Sequence, residues 1–296
     1  MKHSLLIIAA LMIASSSIAA EDECSADKPP SRYTGLSVFA NAGAIWADRN
    51  TADFYSGRPT NANTINRVLH SQTYGQQIWQ NLTTAGLISS AVGSYDQLSV
   101  VEYPSMYYRT SFQYGLGIRY DYASGFGWLL RFDLARLQAL GAFNLSATNE
   151  TGLLGYDQYV RCGIMGREDR INIEFAITRC VNLTDALDLE LDLGGGFVNT
   201  KVRDNLMEIA GVSYSILDVW DGRTPDAGVM AYEYINQGGI GYSVFMSALL
   251  GYNVAGVGSV RVGYTCYHAK VVLDGYTAWG WQHMIGLRFE MNNFDF

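Results

Sequence analysis

Residues 108–122 read YRTSFQYGLGIRYDY. Tyr108, Phe112, Tyr114, Leu116, Ile118, Tyr120 and Tyr122 are apolar or aromatic, with Thr110 the mild exception in that series. The intervening Arg109, Ser111, Gln113, Gly115, Gly117, Arg119 and Asp121 are polar, small or charged. Side chains alternate faces along a strand, so the segment has one greasy and one wet face. A run of about fifteen residues exceeds the usual soluble strand of about 5–6. It fits a tilted strand crossing a bilayer, which needs about 9–11 residues.

The pattern recurs over 34–46, 127–134, 171–178, 187–194, 240–254, 258–271 and 279–291. Connections near 123–126, 182–185 and 255–258 are short, those over roughly 47–106, 143–170 and 201–239 are long, and Asp274-Gly275 is a two-residue hairpin signal. The expectation is an all-β, antiparallel up-and-down transmembrane β-barrel of eight strands, with short turns on one side and long loops on the other. Ten strands stay open, because 96–103 and 229–235 could add a pair. A soluble β-sandwich would carry its charges outward; here the charged face is the inner one, which inverts that pattern.

The compartment follows from the first residues. Lys2 and His3 precede the apolar run LLIIAALMIA, and SSSIAA ends in small residues. This is the anatomy of a secretory signal over 1–20, with cleavage after Ala19 or Ala20. Residues 21–32 form a periplasmic segment and 33–296 the barrel. Tyr 20 and Gly 31 against Pro 5, with 16% charged residues, suit a large sheet with an aromatic surface. Net charge is −8 and no basic cluster occurs along the chain, so nucleic acid is not an expected partner.

Threading the strands up and down puts Trp46, Tyr108, Tyr242, Trp279 and Trp281 at the outer rim, and Tyr120, Tyr122, Trp128, Tyr252 and Phe289 at the inner rim. Two aromatic girdles suit an interface-anchored barrel. At this point the chain resembles the small eight-stranded outer-membrane barrels of Gram-negative bacteria, of the OmpA and OmpX type. Gly286-Leu287-Arg288-Phe289-Glu290-Met291 follows the Gly-x-x-aromatic-x-hydrophobic pattern of an outer-membrane insertion signal. The resemblance implies the bacterial outer membrane, its lipid and lipopolysaccharide as surroundings, and the barrel assembly machinery as a partner of the C-terminal strand. Met284 stands where a polar residue is usual, and five residues follow Met291.

The inward set comprises Arg109, Arg119, Arg131, Arg261 and Arg288 against Asp121, Asp133, Glu174, Asp188, Glu190, Asp192 and Glu290. Eight strands leave room for side chains only, and unpaired buried charges are costly. The hairpin register sets Arg261 opposite Arg288, with the acids of 188–192 and Glu290 as natural partners. The expectation is a lumen plugged by ion pairs; a narrow or gated channel is the alternative. A cation site at Asp188-x-Glu190-x-Asp192 lacks the turn of a calcium loop. No metal or cofactor is expected.

Enzymatic signatures are weak. His268 and His283 are not followed by the His-x-Ser of lipid A deacylases, and no Asp-x-His suggests an omptin protease. Cys266 opposite His283 is a conceivable acyl-transfer dyad without recognisable oxyanion donors. Among four cysteines, topology favours pairing Cys24 with Cys180. The barrel then anchors, and the polar loops, above all 47–106, carry recognition of a host, phage or cell-surface ligand. A non-enzymatic surface protein for adhesion, contact or envelope integrity is the leading expectation, a transport channel the second, and an outer-leaflet lipid-modifying or proteolytic enzyme the third.

Overall fold

The computed structural model describes residues 34–89, 93–148, 158–184, 186–217, 237–254 and 258–291. The signal segment, Cys24, residues 229–235 and the five C-terminal residues lie outside them. Among the described residues no helix is long and apolar enough to cross a membrane.

Eight antiparallel strands close a ring: β1 (Gly35–Trp46), β4 (Ser111–Asp121), β5 (Phe126–Ala147), β6 (Gln158–Asn182), β7 (Leu187–Ile209), β9 (Gly238–Val254), β10 (Gly258–Leu273) and β11 (Tyr276–Met291). The seam closes where β11 pairs β1, Phe289 opposite Ala40 and Leu287 opposite Ala42. Every alternating segment of the sequence is therefore a wall strand. The short strands β2 (Leu98–Glu102), β3 (Tyr107–Tyr108) and β8 (Val212–Ser215) stand outside the ring. β2 and β3 pair the outer part of β5, and β8 pairs the outer end of β7. The segment 96–103 thus contains a strand, but it lengthens the wall and leaves the ring at eight.

Three strands are much longer than a membrane needs: β5, β6 and β7 run for 22, 25 and 23 residues. The expected connection over 143–170 is mostly strand, since β5 reaches Ala147 and β6 begins at Gln158. The three form a tall wall on one side of the ring. Residues 47–89 fold against its inner surface.

That segment contains the helices α1 (Arg49–Ala52), α2 (Ile65–Leu69) and α3 (Gln72–Thr84), and a 3-10 turn over Asp53–Ser56. Asp48 caps α1 by accepting from the Asn50 amide at 2.8 Å, and its carboxylate also accepts from the Trp281 amide, pinning the segment to β11. Ser71 caps α3 by accepting from the Tyr74 amide. On α3, Ile78 and Leu82, one helical turn apart, are both fully buried, while Gln76, Gln77 and Gln80 are exposed. With Phe54, Tyr55, Ile65 and Leu69 they meet Phe143 and Leu145 of β5, Cys162 and Ile164 of β6, and Met207 and Ile209 of β7 in one apolar core. The first loop, expected as a polar contact surface, is instead a folded head. Asn50, Gln76, Gln77 and Gln80 lie on its exposed surface, whereas Thr51, Asn61 and Asn63 are buried beside its apolar interior.

Candidate functional site

Within the ring the inward side chains form two charge clusters. Near the short-turn end, Arg119 bonds Asp121 at 2.8 Å and Glu190. Arg261 reaches Glu190 at 2.8 Å, Asp188 at 3.3 Å and Glu290 at 3.3 Å. Arg288 bonds Glu190 and reaches Asp192 at 3.2 Å. Glu190 thus serves three guanidinium groups, and it is fully buried. Arg261 and Arg288 are direct register partners. They lie side by side because Glu190, which both contact, and the further carboxylate partners of each offset their repulsion. The second cluster joins Arg131 to Asp133 at 2.9 Å and to Glu174, with Asn41 and Gln113 donating to Asp133.

Aromatic rings separate the charges. The Arg288 guanidinium lies 4.7 Å from the Phe39 ring centroid, and that of Arg131 lies 5.0 Å from the Phe245 ring. Gly117 makes room for Phe39: a Cβ there would fall 2.2 Å from the ring. Phe39, Leu129, Phe245, Tyr267 and Met284 form a buried apolar layer across the lumen.

Arg109 belongs to neither cluster. It is exposed, in the break between β3 and β4, where its amide donates to the Gln138 carbonyl. The same break reverses the facing of its neighbour. Tyr108, expected in the outer girdle, turns inward, its hydroxyl 3.1 Å from Glu168 and 3.2 Å from the Thr51 carbonyl. Continuous alternation from 108 to 122 is therefore wrong at 109–110, where pairing to β5 is interrupted. The other girdle residues face outward. Tyr120 and Trp128 stack at 6.2 Å, Tyr242 meets Trp279 edge-on at 5.2 Å, and Trp281 packs on His268. Trp46, Tyr122, Tyr252 and Phe289 are exposed.

Three buried charges escaped the sequence reading: Arg179, which donates to the Ser124 carbonyl at 2.6 Å near a short turn, and the pair Glu168 and Arg170. Glu168 and Arg170 pair at 2.5 Å where the head enters the ring. Glu168 accepts from the Tyr55 hydroxyl at 2.6 Å, and Arg170 donates to the Thr51 hydroxyl at 3.2 Å. The Tyr55 ring lies over Gly166, where a Cβ would clash at 2.2 Å. Burial, reinforced by the Glu168 carboxylate, pushes the Tyr55 phenol well above its ordinary pKa of 10.0. This latch ties the helical insert to the wall.

Cys266 stands opposite His283 in register, but the imidazole Nδ1 is engaged at 2.6 Å with the Tyr264 hydroxyl. Asp188, Glu190 and Asp192 face the arginines. Cys180 is buried near the inner end of β6, and its expected partner Cys24 lies outside the described residues.

A closed ring of eight strands, apolar outside and charged within, defines a transmembrane β-barrel. No protein-family model matches the sequence, and no curated protein is similar to it. Solved structures similar to the chain include Neisserial surface protein A, with 8% identity and a TM-score of 0.42 over 88% of this chain and 99% of that one. OprG, an outer membrane protein from Pseudomonas aeruginosa, shows 9% identity and a TM-score of 0.36 over 90% and 100%. Ail, the attachment invasion locus protein of Yersinia pestis, shows 12% and 0.32 over 87% and 99%. These likenesses concern the barrel fold alone.

Proposed function

We propose that the protein is a closed, non-enzymatic barrel of the Gram-negative outer membrane that holds a rigid head outside the cell for surface contact. One observation carries this reading above others. The interior is filled twice, by the arginine–carboxylate clusters within the ring and by the apolar core of the head above them. Material packed to this degree serves rigidity and presentation, and leaves no wide aqueous path. The head's exposed surface then meets the environment.

Planar-bilayer recording of the full protein tests closure: the expected trace shows no large steady conductance, and nanosiemens currents would overturn it in favour of a pore. Orientation is tested in a background lacking native cysteines. Gln76→Cys, exposed on α3, should react with impermeant maleimide on intact cells, and Ala123→Cys, exposed in a short turn, should not. The reverse labelling would place the head in the periplasm. Display on a non-adherent Gram-negative host should raise adherence. Adherence equal to the empty host would remove the contact role.

A further inference from the structure

The outward faces of β5, β6 and β7 change character along their length. The continuous run of lipid-type side chains is interrupted after Leu134 on β5, Ile171 on β6 and Phe197 on β7. Immediately beyond stand Arg136, Arg167, Lys201 and Arg203, with Asp169 and Asp204 among them. Register brings them together: Arg136 faces Asp169, Asp169 faces Lys201, and Arg167 faces Asp204. A bulge between Arg167 and Glu168 turns both Arg203 and Asp204 outward, which regular alternation would forbid. The arginine side chains are 79%, 47% and 53% exposed at positions 136, 167 and 203. Arg136 and Arg203 pair with Asp169 and Arg167 with Asp204, so four cations against two carboxylates leave this belt a local surplus of two positive charges on a chain whose net charge is −8.

Directly above the belt the same face opens into a groove of about 580 Å³. It continues into a second hollow of about 490 Å³, the two sharing Arg161, Gly163 and Glu208. The floor is small, Ala142 beside Gly163. Tyr107 stands at one edge, and Ser213 adds a hydroxyl. Two tyrosines, Arg161, the two carboxylates of Glu102 and Glu208 and a hydroxyl, over a floor that also carries Leu140 and Met165, offer the stacking and hydrogen-bonding groups that hold a sugar.

We propose that this face binds a phosphorylated glycolipid of the surrounding outer leaflet, its phosphates on the arginine belt and its first sugars in the groove. Three features follow one another outward on the same strands: an apolar wall for acyl chains, cations for phosphate, and a groove of mixed aromatic, apolar and polar lining for sugar. That order matches the anatomy of a glycolipid standing beside the wall. The site deepens the outer-membrane reading above and rests on it.

The test uses the full protein, purified folded from the outer-membrane fraction, with rough-type lipopolysaccharide, lipid A and phosphatidylglycerol as separate probes in mixed micelles. Wild type should bind rough-type lipopolysaccharide most tightly, then lipid A, then phosphatidylglycerol. The triple variant Arg136→Gln, Arg167→Gln, Arg203→Gln should weaken lipopolysaccharide and lipid A alike, by at least about tenfold. Gly163→Leu should erase only the advantage of rough-type lipopolysaccharide over lipid A. A Cβ at Gly163 meets its nearest neighbour at an ordinary 3.8 Å, so the added side chain fills the groove without disturbing the wall. A triple variant binding lipid A as wild type does would overturn the belt. Equal binding of phosphatidylglycerol and lipid A would reduce the site to a plain anionic-surface contact and overturn the glycolipid assignment. Heat-modifiable migration separates the two readings: a folded barrel that binds no glycolipid overturns this site alone. A chain absent from the outer membrane overturns the membrane reading with it.

Discussion

The two halves of β6 follow opposite rules. In its inner half Ile173, Phe175 and Ile177 point outward and are about half exposed, while Asn172, Glu174 and Thr178 point inward. In its outer half Val160, Cys162 and Ile164 point inward and are buried, while Arg161 and Arg167 point outward. β5 and β7 invert in the same place, with Arg131 and Asp133 giving way to Phe143 and Leu145, and Glu190 and Asp192 to Met207 and Ile209. The strand does not change; its solvent does. Where lipid lies outside, the apolar face must be the outer one and the interior becomes a polar network. Where water lies outside, the interior must be the apolar face, and the helical head supplies the other half of that core.

If the inner half is held by charge, its most connected carboxylate should matter most. Glu190→Ala leaves Arg119, Arg261 and Arg288 short of their shared partner. Stranding buried charge costs about 3–5 kcal/mol, and a large fall in the temperature at which the unboiled band is lost on gels should report it. An unchanged melting temperature would show that packing, and not ion pairing, holds the lumen.

The outer half should fail differently. Leu82→Ala removes a fully buried side chain from the head core, at a cost of about 2–5 kcal/mol. Limited proteolysis should then cut within 47–97 while the barrel keeps its heat-modifiable migration. Loss of both together would make the two halves one cooperative unit and dissolve the distinction.

The sequence discloses the two halves unequally. Period-two alternation is strong wherever one face meets lipid, so all eight wall strands are readable, as are four of the five inward arginines expected. Arg109 and Tyr108 are misread because the interruption at 109–110 carries no glycine or proline to announce it. Glu168 and Arg170 are missed for another reason. They sit at the inversion, where two patterns of opposite sign meet and the alternation momentarily vanishes. The head hides best of all. Its helices α1 and α2 have four and five residues, too short for a 3.6-residue period to emerge, and its polar surface masks a core completed by distant strands. The arginine belt draws one residue or two from each of three strands, so no linear window contains it.

The inversion itself can be tested on one face of one strand. Phe175→Arg places a charge among lipid-facing residues, at about 2–4 kcal/mol near mid-membrane. Met165→Arg, on the same face but beyond the belt, should cost about 0–1 kcal/mol. Folded yield in the outer-membrane fraction should drop for the first variant and hold for the second. Equal yields would move the lipid boundary and with it the division of the molecule.

The smallest effect concerns the latch between the halves. Tyr55 is buried with its hydroxyl on Glu168, and its phenol titrates well above 10.0 in the folded head. Once the head opens, the same phenol ionises near its ordinary value of about 10. Folding therefore holds a proton that the open form releases at high pH. The stabilisation is complete below pH of about 10 and is lost as pH climbs through and beyond that value. Protease cleavage of the head should increase between pH 9 and pH 11 (about one unit either side of that onset). Tyr55→Phe should blunt this dependence at a neutral-pH cost of about 1 kcal/mol, because Glu168 keeps Arg170 and Tyr108 as partners. The charge clusters of the inner half should not respond, since arginine stays protonated throughout this range. An alkaline opening of equal size in wild type and Tyr55→Phe would assign it to other groups in the head. Simultaneous loss of heat-modifiable migration would mean that alkali reaches the lumen network, and that the two halves are not insulated from each other.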